Sequence, residues 1–294
     1  MIIRIRQLLM LLTVFLLLQT LPAFEWPVAD VGIISTFGQD RWGDYLKGVE
    51  LYSPDGQVRP VEPGELIFSA EGKRSGPHRI VSGLGNMAVL QHERGIRSVY
   101  GHLLEPVDRV LRIIRGNEIF GTLGSSGMVE GDFLYLQIID SEVSRFVNPL
   151  LSLPSIADDV NPSIEGITLY RDGISYNLRQ GIRVKQGVYS VNLNVFDQST
   201  AVDLLRTMSV YTIKFYINGE EKHALSFESL MTEEWRSVPS GRSDLHHQAL
   251  YTDPGEIFIG TVELQPGAAA LEVVAGDFAG NVTTRAIRLQ VDPE

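Results

Sequence analysis

The chain of 294 residues contains no cysteine, so no disulfide bond stabilises its fold. Its stability therefore depends on hydrophobic cores of adequate size. Basic residues are also scarce, because 25 lysine and arginine residues stand against 36 aspartate and glutamate residues, for a net charge of −11. This balance argues against non-specific binding to nucleic acid and against adhesion to anionic lipid, since both depend on a basic surface. The sequence also contains no phosphate-binding loop and no dinucleotide-binding fingerprint.

The first 23 residues have the organisation of a secretory signal peptide. Arg4 and Arg6 form a basic part, residues 8–18 an apolar part, and Leu21-Pro22-Ala23 a cleavage site. The apolar run is shorter than the about 20 residues that a membrane-spanning helix needs. We therefore predict export to the periplasm or cell envelope, with contact to a membrane only through an uncleaved signal segment.

Helical periodicity is scarce in the rest of the chain. Strand-like alternation, punctuated by glycine, proline, asparagine and aspartate, predicts an all-β protein. The alternation is cleanest in VYSVNLNVFD (188–197) and VYTIKFYING (210–219), and it is typical of half-buried antiparallel strands in a β-sandwich. Residues 228–256 interrupt it, and we expect them to form a long, partly irregular excursion.

A domain boundary is predicted at LPSIADDVNPSIEG (153–166), which has two prolines, three acidic residues and little apolar periodicity. The predicted organisation is a signal peptide, a first β domain, a linker and an Ig-like β-sandwich. Their bounds are residues 1–23, 24–152, 153–165 and 166–294 respectively.

The first domain contains seven short motifs in a fixed order. They are FEWPVADVGIISTFG (24–38), LKGVEL (46–51), VEPGELIFSAEG (61–72), GNMAVLQHERGIRSVYGHL (85–103), GTLGSSG (121–127), FLYLQI (133–138) and VNP (147–149). In this order they resemble the lysostaphin/LytM-type zinc endopeptidases, which cut peptide cross-bridges in bacterial peptidoglycan. The resemblance covers about residues 25–150 and implies a lysostaphin-like β domain of the duplicated-hybrid-motif type.

The resemblance identifies five positions that carry the family's chemistry. The first zinc histidine corresponds to Leu46, and the aspartate ligand corresponds to Glu50, which keeps a carboxylate. The His-x-His pair on a late strand, a catalytic histidine followed by the third zinc ligand, corresponds to Phe133 and Tyr135. The remaining catalytic histidine is present as His102 in YGHL. One position is therefore intact, one is conservatively changed and three are lost.

These losses remove the means of holding zinc. A catalytic zinc site needs about three protein ligands and one open position for water. Leucine and phenylalanine are not ligands, and a phenol with a pKa near ~10 is a poor ligand at neutral pH. Residues i and i+2 of a strand point to the same face, so Phe133 and Tyr135 are expected to fill the cleft with aromatic surface. Without the metal no water is activated, and we predict neither peptidase activity nor a cofactor.

A different metal site is the alternative that would preserve activity. Asp44 lies near the first ligand position, so Asp44, Glu50 and His102 are a candidate set for a cation that prefers oxygen ligands, such as calcium or manganese. In the metal-free interpretation the same three residues line a groove together with Phe133 and Tyr135. His102 is then a packed, hydrogen-bonded residue, because a general base needs a partner to activate.

The sequence therefore predicts an exported, catalytically degenerate, metallopeptidase-like protein of the cell envelope. The resemblance implies that it binds peptidoglycan or regulates a cell-wall hydrolase, since inactive relatives of the family recruit or activate other hydrolases. Two alternatives stay open at this point. One is an active peptidoglycan metalloendopeptidase with an atypical metal site, in which zinc would be the cofactor, and the other is a purely structural interaction protein of the envelope.

Overall fold

The computed structural model describes residues 24–72, 82–108, 110, 112–199, 206–252 and 255–294. The predicted signal peptide, residues 1–23, lies outside the described residues. Within these ranges the prediction of an all-β protein is confirmed: the helical elements are the 3-10 turns Glu93–Gly95 and Pro149–Leu151 and one short helix, α1 (His247–Leu250). None of the helices in the described residues has the length and hydrophobicity needed to cross a membrane.

Twelve strands lie in the part of the chain that precedes residue 153. They are β1 (Gly32–Ser35), β2 (Asp40–Arg41), β3 (Asp44–Tyr45), β4 (Val49–Tyr52), β5 (Gln57–Val58), β6 (Gly64–Ala70), β7 (Asn86–Gln91), β8 (Ile96–Leu103), β9 (Ile113–Ile114), β10 (Gly121–Thr122), β11 (Leu134–Asp140) and β12 (Arg145–Val147).

Twelve more strands lie in the part that follows. They are β13 (Ser163–Arg171), β14 (Ile174–Asn177), β15 (Arg183–Lys185), β16 (Gly187–Ser199), β17 (Arg206–Met208), β18 (Thr212–Ile217), β19 (Glu220–Ser226), β20 (Ser229–Glu233), β21 (Arg236–Pro239), β22 (Ile257–Leu264), β23 (Gly267–Gly276) and β24 (Val282–Asp292).

A ten-stranded sheet forms the body of the first part. Its order is β21-β20-β12-β11-β8-β7-β6-β9, and β4 pairs with β11 and β1 with β4. The first five residues of β11 are all buried, and this explains why the sequence of the strand is almost continuously apolar. The strand that carries Tyr135 is therefore a central strand, covered on both faces, and Phe133 immediately precedes it.

The excursion at residues 228–256 is more regular than its sequence predicts. Strands β20 and β21 form a hairpin, and β20 pairs antiparallel with β12 in the register Phe146↔Leu230. The hairpin turn is Glu234-Trp235, and both residues have positive φ values, 44° and 66°. Turns of this kind normally use asparagine, aspartate or glycine, so the sequence carries no turn signal here. The second part of the chain thus contributes two strands to the sheet of the first.

The remaining strands of the second part form two five-stranded sheets. In one, β16 lies between β13 and β22, and β14 and β17 complete it; the other has the order β15-β24-β23-β18-β19. The alternation predicted for VYSVNLNVFD is present, since Val191, Leu193 and Val195 are all buried. The two sheets are consistent with a β-sandwich. That the sandwich is Ig-like stays a prediction.

One hydrophobic core runs through both parts of the chain. It joins Phe37 and Tyr45 from the first part to Phe227, Leu245 and Leu250 from the second. The rings of Tyr45 and Phe227 meet edge to face, with centroids 6.2 Å apart. The two parts therefore bury apolar surface against each other, which is the main source of stability for a protein without disulfides.

We predict that Gly38→Ala will destabilise the protein through this shared core. Gly38 has a φ of +86°, and a Cβ atom there would lie 2.2 Å from Cδ1 of Phe227. Left-handed strain and the overlap with the ring together are expected to lower the free energy of unfolding by about 2–4 kcal/mol, measured by urea denaturation.

Gly173→Ala is the matched control for this substitution. Gly173 also has a positive φ, +77°, but a Cβ atom would meet nothing within 4 Å. Only the strain of about 1–2 kcal/mol is expected there. Equal losses of unfolding free energy in the two variants would show that Phe227 does not pack against Gly38.

Candidate functional site

The residues of the expected groove meet where β4, β11 and β8 lie side by side. Tyr135 in β11 is opposite Glu50 in β4 and opposite Gly101 in β8. Directly opposed residues of neighbouring strands project to the same face of a sheet, so Glu50 and Tyr135 are neighbours there. His102 follows Gly101 and completes the group at this end of the sheet.

Glu50 is the most deeply buried charged group of the site, with an exposure of 1%. Oγ of Ser35 donates a hydrogen bond to its Oε2 atom at 2.6 Å. Nη2 of Arg41 donates to its Oε1 atom and forms an ion pair with it. A buried carboxylate is costly unless it is paired and hydrogen-bonded, and Arg41 and Ser35 meet both needs. A guanidinium therefore neutralises the carboxylate that corresponds to the family's aspartate ligand.

Arg41 was not identified from the sequence. It lies in the short hairpin of β2 and β3, whose turn is Trp42-Gly43 with φ values of 51° and 84°, as in a type I′ turn. Trp42 is 62% exposed, and the guanidinium of Arg41 lies 4.7 Å from its ring centroid. This cation–π contact helps to hold the guanidinium over the carboxylate. The glycine at the turn predicts a hairpin, but not its closure over Glu50.

His102 is buried and held from two sides. Its backbone, at a φ of 61°, donates to the carbonyl of Leu84 at 2.7 Å. Its Nδ1 atom lies 2.8 Å from the carbonyl oxygen of Ser126 and donates to it, since a carbonyl only accepts. Burial lowers the pKa of His102, and the charge of Arg41 lowers it further, although the Ser126 carbonyl acts in the opposite direction. The ring is therefore neutral at neutral pH, with an unprotonated Nε2 atom.

Tyr135 occupies the position of the family's third zinc ligand. Its hydroxyl donates to Oε1 of Gln137 at 3.1 Å, and its ring meets that of His102 edge to face at 6.1 Å. Burial raises the pKa of Tyr135 far above neutrality. A phenol that stays protonated and donates its hydrogen elsewhere is not available to a metal.

The other two lost positions are apolar and buried. Leu46 is buried beside the pocket, and Phe133 packs beneath the guanidinium of Arg206, which lies 5.0 Å from its ring centroid. Arg206 belongs to β17 of the second part of the chain. Tyr135 lines the pocket beside Glu50, whereas Phe133 is not among the residues that line it and packs against a cation from the second part of the chain.

The candidate set for an alternative metal site is only partly assembled. Glu50 and His102 are neighbours, with 4.0 Å between Oε1 and Nε2. Asp44 lines the same pocket, but its Oδ2 atom pairs with Nζ of Lys47 at 2.7 Å. The carboxylates of Asp44 and Glu50 thus each have a basic partner within the chain.

Residues 245–251, in the second part of the chain, hold the hairpin of Arg41 in place. Nε2 of His247 donates to Oδ1 of Asp40 at 2.6 Å. The hydroxyl of Tyr45 donates to the carbonyl of Leu245 at 2.7 Å, and the hydroxyl of Tyr251 donates to the carbonyl of Gly38 at 2.8 Å. Because these contacts surround both strands of the hairpin, the position of Arg41 depends on residues 245–251.

A second acidic group lies away from this pocket. Asp158, Asp197 and Asp277 bring one carboxylate oxygen each within 4.8 Å of one another. Asp158 and Asp197 line a cavity of about 200 Å³, which residues from both parts of the chain enclose and which shares no lining residue with the pocket beside Glu50. Burial, followed by the charges of Asp277 and Asp158, raises the pKa of Asp197 to about 6.

Comparisons with known proteins confirm the resemblance seen in the sequence. The cell division protein DipM of Caulobacter vibrioides is 27% identical over 135 residues, which are 45% of this chain and 21% of DipM. The murein hydrolase activator NlpD of Salmonella dublin is 26% identical over 132 residues, which are 45% of this chain and 32% of NlpD. The chain thus spans no more than about a third of the length of these curated relatives. The family resemblance is to the lysostaphin/LytM type.

Two further comparisons concern the structure and the second part of the chain. The solution structure of lysostaphin superposes with a TM-score of 0.35 at 12% identity, over 86% of this chain and 96% of lysostaphin. A protein-family model matches residues 161–292, which lie in the second part of the chain.

We predict that Arg41→Ala will destabilise the protein in a pH-dependent way. The variant leaves Glu50 buried without a cation, and we expect a loss of about 3 kcal/mol in the free energy of unfolding at pH 8. The unpaired carboxylate will have a raised pKa, so the folded variant binds a proton that the unfolded chain releases, and the deficit will shrink as the pH falls. Urea denaturation at several pH values measures both effects.

The matched control for this variant is Arg112→Ala. Arg112 pairs with Glu118 on the surface, where the two side chains are 38% and 31% exposed. A loss of no more than about 1 kcal/mol is expected there, at any pH. A pH-independent loss in Arg41→Ala would show that Glu50 does not depend on the guanidinium.

A separate prediction concerns the acidic group at Asp197. Because the pKa of Asp197 in the folded chain is about 6, against about 3.9 in an unfolded chain, the native protein loses stability as the pH rises through 6. Asp197→Asn keeps the hydrogen bond from the backbone of Gln198 but carries no charge. Its melting temperature should exceed that of the native protein above pH 6, and the difference should vanish near pH 4. Asp159→Asn, at an exposed neighbouring position, should show no such trend.

Proposed function

We propose that this chain is an exported protein of the cell envelope whose metallopeptidase-like domain regulates a cell-wall hydrolase at peptidoglycan and does not cut it. The observation that carries this proposal is the ion pair between Arg41 and the buried Glu50. A guanidinium neutralises the carboxylate at the family's metal position, but it has no open coordination site and activates no water. The domain thus keeps the family's strands and groove without the group that performs hydrolysis.

The character of the relatives supports a regulatory role. NlpD is named as a murein hydrolase activator and DipM as a cell division protein, which is consistent with a partner among the enzymes of the cell wall. Domain bounds at 24–152 and 166–294, joined by 153–165, remain part of the proposal. In this view the second domain supports the groove, because it holds the hairpin of Arg41 through Asp40 and Tyr45.

The first experiment separates regulation from catalysis. Purified protein is analysed for bound metal and incubated with isolated sacculi, alone and with a purified peptidoglycan hydrolase of the same organism. We expect no stoichiometric zinc, no release of peptide fragments by the protein alone, and faster release when both proteins are present. Bound zinc together with fragment release by the protein alone would contradict the proposal. The sacculi are also collected by centrifugation. If the protein neither pellets with them nor stimulates the hydrolase, only a structural role is left.

We predict that Trp42→Ala weakens this stimulation by about tenfold or more, since exposed tryptophan residues at an interface are frequent hot spots. Trp42 is 62% exposed and lines the pocket beside Glu50.

Trp235→Ala is the matched control, because Trp235 is 98% exposed at the turn of another hairpin. Its loss should leave stimulation unchanged. Equal effects of the two variants would argue against the groove as the binding site.

A further inference from the structure

The open pocket beside the Arg41–Glu50 pair contains polar groups with unused hydrogen-bonding capacity. It is lined, among others, by Arg41, Trp42, Lys47, Glu50, His102 and Tyr135. Two of these residues, Arg41 and His102, have hydrogen-bonding groups that are not used by the contacts that position them. They offer the pocket donors and an acceptor respectively.

Arg41 supplies the donors. A guanidinium has five N–H groups in a planar fork, and within the described residues the acceptor that contacts it is Oε1 of Glu50, which meets Nη2. The side chain is 25% exposed, and its plane is held against the ring of Trp42. The remaining N–H groups are therefore oriented, accessible and free to bind an acceptor of a ligand. A guanidinium fork fits a carboxylate especially well.

His102 supplies the acceptor. Its exposure is 2%, its Nδ1–H group is used by Ser126, and its neutral Nε2 atom has a lone pair. Oε1 of Glu50 lies 4.0 Å from Nε2 and is itself an acceptor. No donor reaches Nε2 within the described part of the chain. His102 lines the pocket, so a ligand N–H group that enters it would supply the donor.

The charges at this end of the sheet favour an anion. Arg206 lies close enough to Arg41 for its charge to contribute to the lowered pKa of Arg41, after burial. Asp44 is neutralised by Lys47, and Glu50 is in contact with Arg41. Two guanidinium groups thus lie near one buried carboxylate, and a ligand with a negative charge relieves their repulsion.

We propose that this pocket binds the C-terminal residue of a peptide. Arg41 donates to the terminal carboxylate, and Nε2 of His102 accepts from the amide N–H of the same residue. Both groups flank the same oxygen of Glu50, so one residue is long enough to contact both. A simple anion satisfies Arg41 but leaves His102 without a donor, whereas a C-terminal residue presents a donor and an acceptor side by side. The exposed ring of Trp42 can cover the terminal side chain.

This inference rests on the proposed function, since it names the chemistry that the groove recognises. Two sources share that chemistry: the stem peptides of peptidoglycan, which end in D-residues, and protein C-termini, which end in L-residues. The probes are therefore N-acetyl-D-Ala-D-Ala, N-acetyl-L-Ala-L-Ala and the C-terminal amide of each, titrated calorimetrically into the full chain. We expect an acid to bind at least about tenfold more tightly than its amide, because the charge-assisted hydrogen bonds are lost. Preference for the D or the L form identifies the source.

Three variants test the two contacts separately. Arg41→Gln combined with Glu50→Gln removes both charges of the pair without leaving a buried ion, and it should abolish the preference for the acid. Arg41→Lys keeps the charge but not the fork, and it should weaken binding of the acid. His102→Asn tolerates the positive φ and removes Nε2, so binding of acid and amide should weaken alike. Arg112→Gln combined with Glu118→Gln, the exposed pair, is the control and should bind as the native chain does.

Equal affinity for acid and amide, or unchanged affinity in the Arg41→Gln, Glu50→Gln variant, overturns the proposal. Circular dichroism and melting temperature establish that each variant is folded. The sacculus and hydrolase assays distinguish failure of the proposed pocket from failure of the proposed function. Stimulation of the hydrolase without dipeptide binding refutes the pocket and leaves the proposed function intact. Dipeptide binding without stimulation or pelleting refutes the proposed function and leaves the pocket intact.

Discussion

The neutralisation of a buried carboxylate is the constraint on which the rest of this structure depends. Glu50 lies on a central strand with an exposure of 1%, where an unpaired charge would cost several kcal/mol. In the family that this chain resembles, a metal ion supplies the positive charge at this position. Here Arg41 supplies it, and Ser35 completes the hydrogen bonding. The loss of the other ligands is therefore compatible with a stable fold.

This solution makes the two parts of the chain interdependent. Strands β2 and β3 have two residues each, and an isolated two-stranded hairpin has little stability of its own in water. Tyr45, Asp40 and Gly38 are each hydrogen-bonded to residues 245–251, so the hairpin is held by the second part of the chain. The pairing of β12 with β20 adds a second connection through the sheet. The groove is a property of the whole chain rather than of its first half.

The parts of the site that could be predicted follow from local periodicity and motif order. The proximity of Glu50, His102 and Tyr135 follows once the strands that carry them are known to be adjacent. Arg41 and His247 could not be placed in this way, because their partners are set by tertiary contacts, and His247 is 207 positions from Asp40. The hairpin of β20 and β21 escaped prediction for a different reason. Its turn uses Glu234 and Trp235 at positive φ, and neither residue type indicates such a turn.

The replacement of a metal by arginine also changes what the site is able to do. A zinc ion polarises a carbonyl and lowers the pKa of bound water, because it is a Lewis acid with an open coordination position. A guanidinium stays protonated and offers only directed N–H donors, so it stabilises an anion but activates no nucleophile. Burial lowers the pKa of His102, and its Nδ1–H group is bonded to the Ser126 carbonyl, so its Nε2 atom is an acceptor. This difference between the two cations is the physical basis of the proposal that the groove recognises a ligand and does not hydrolyse it.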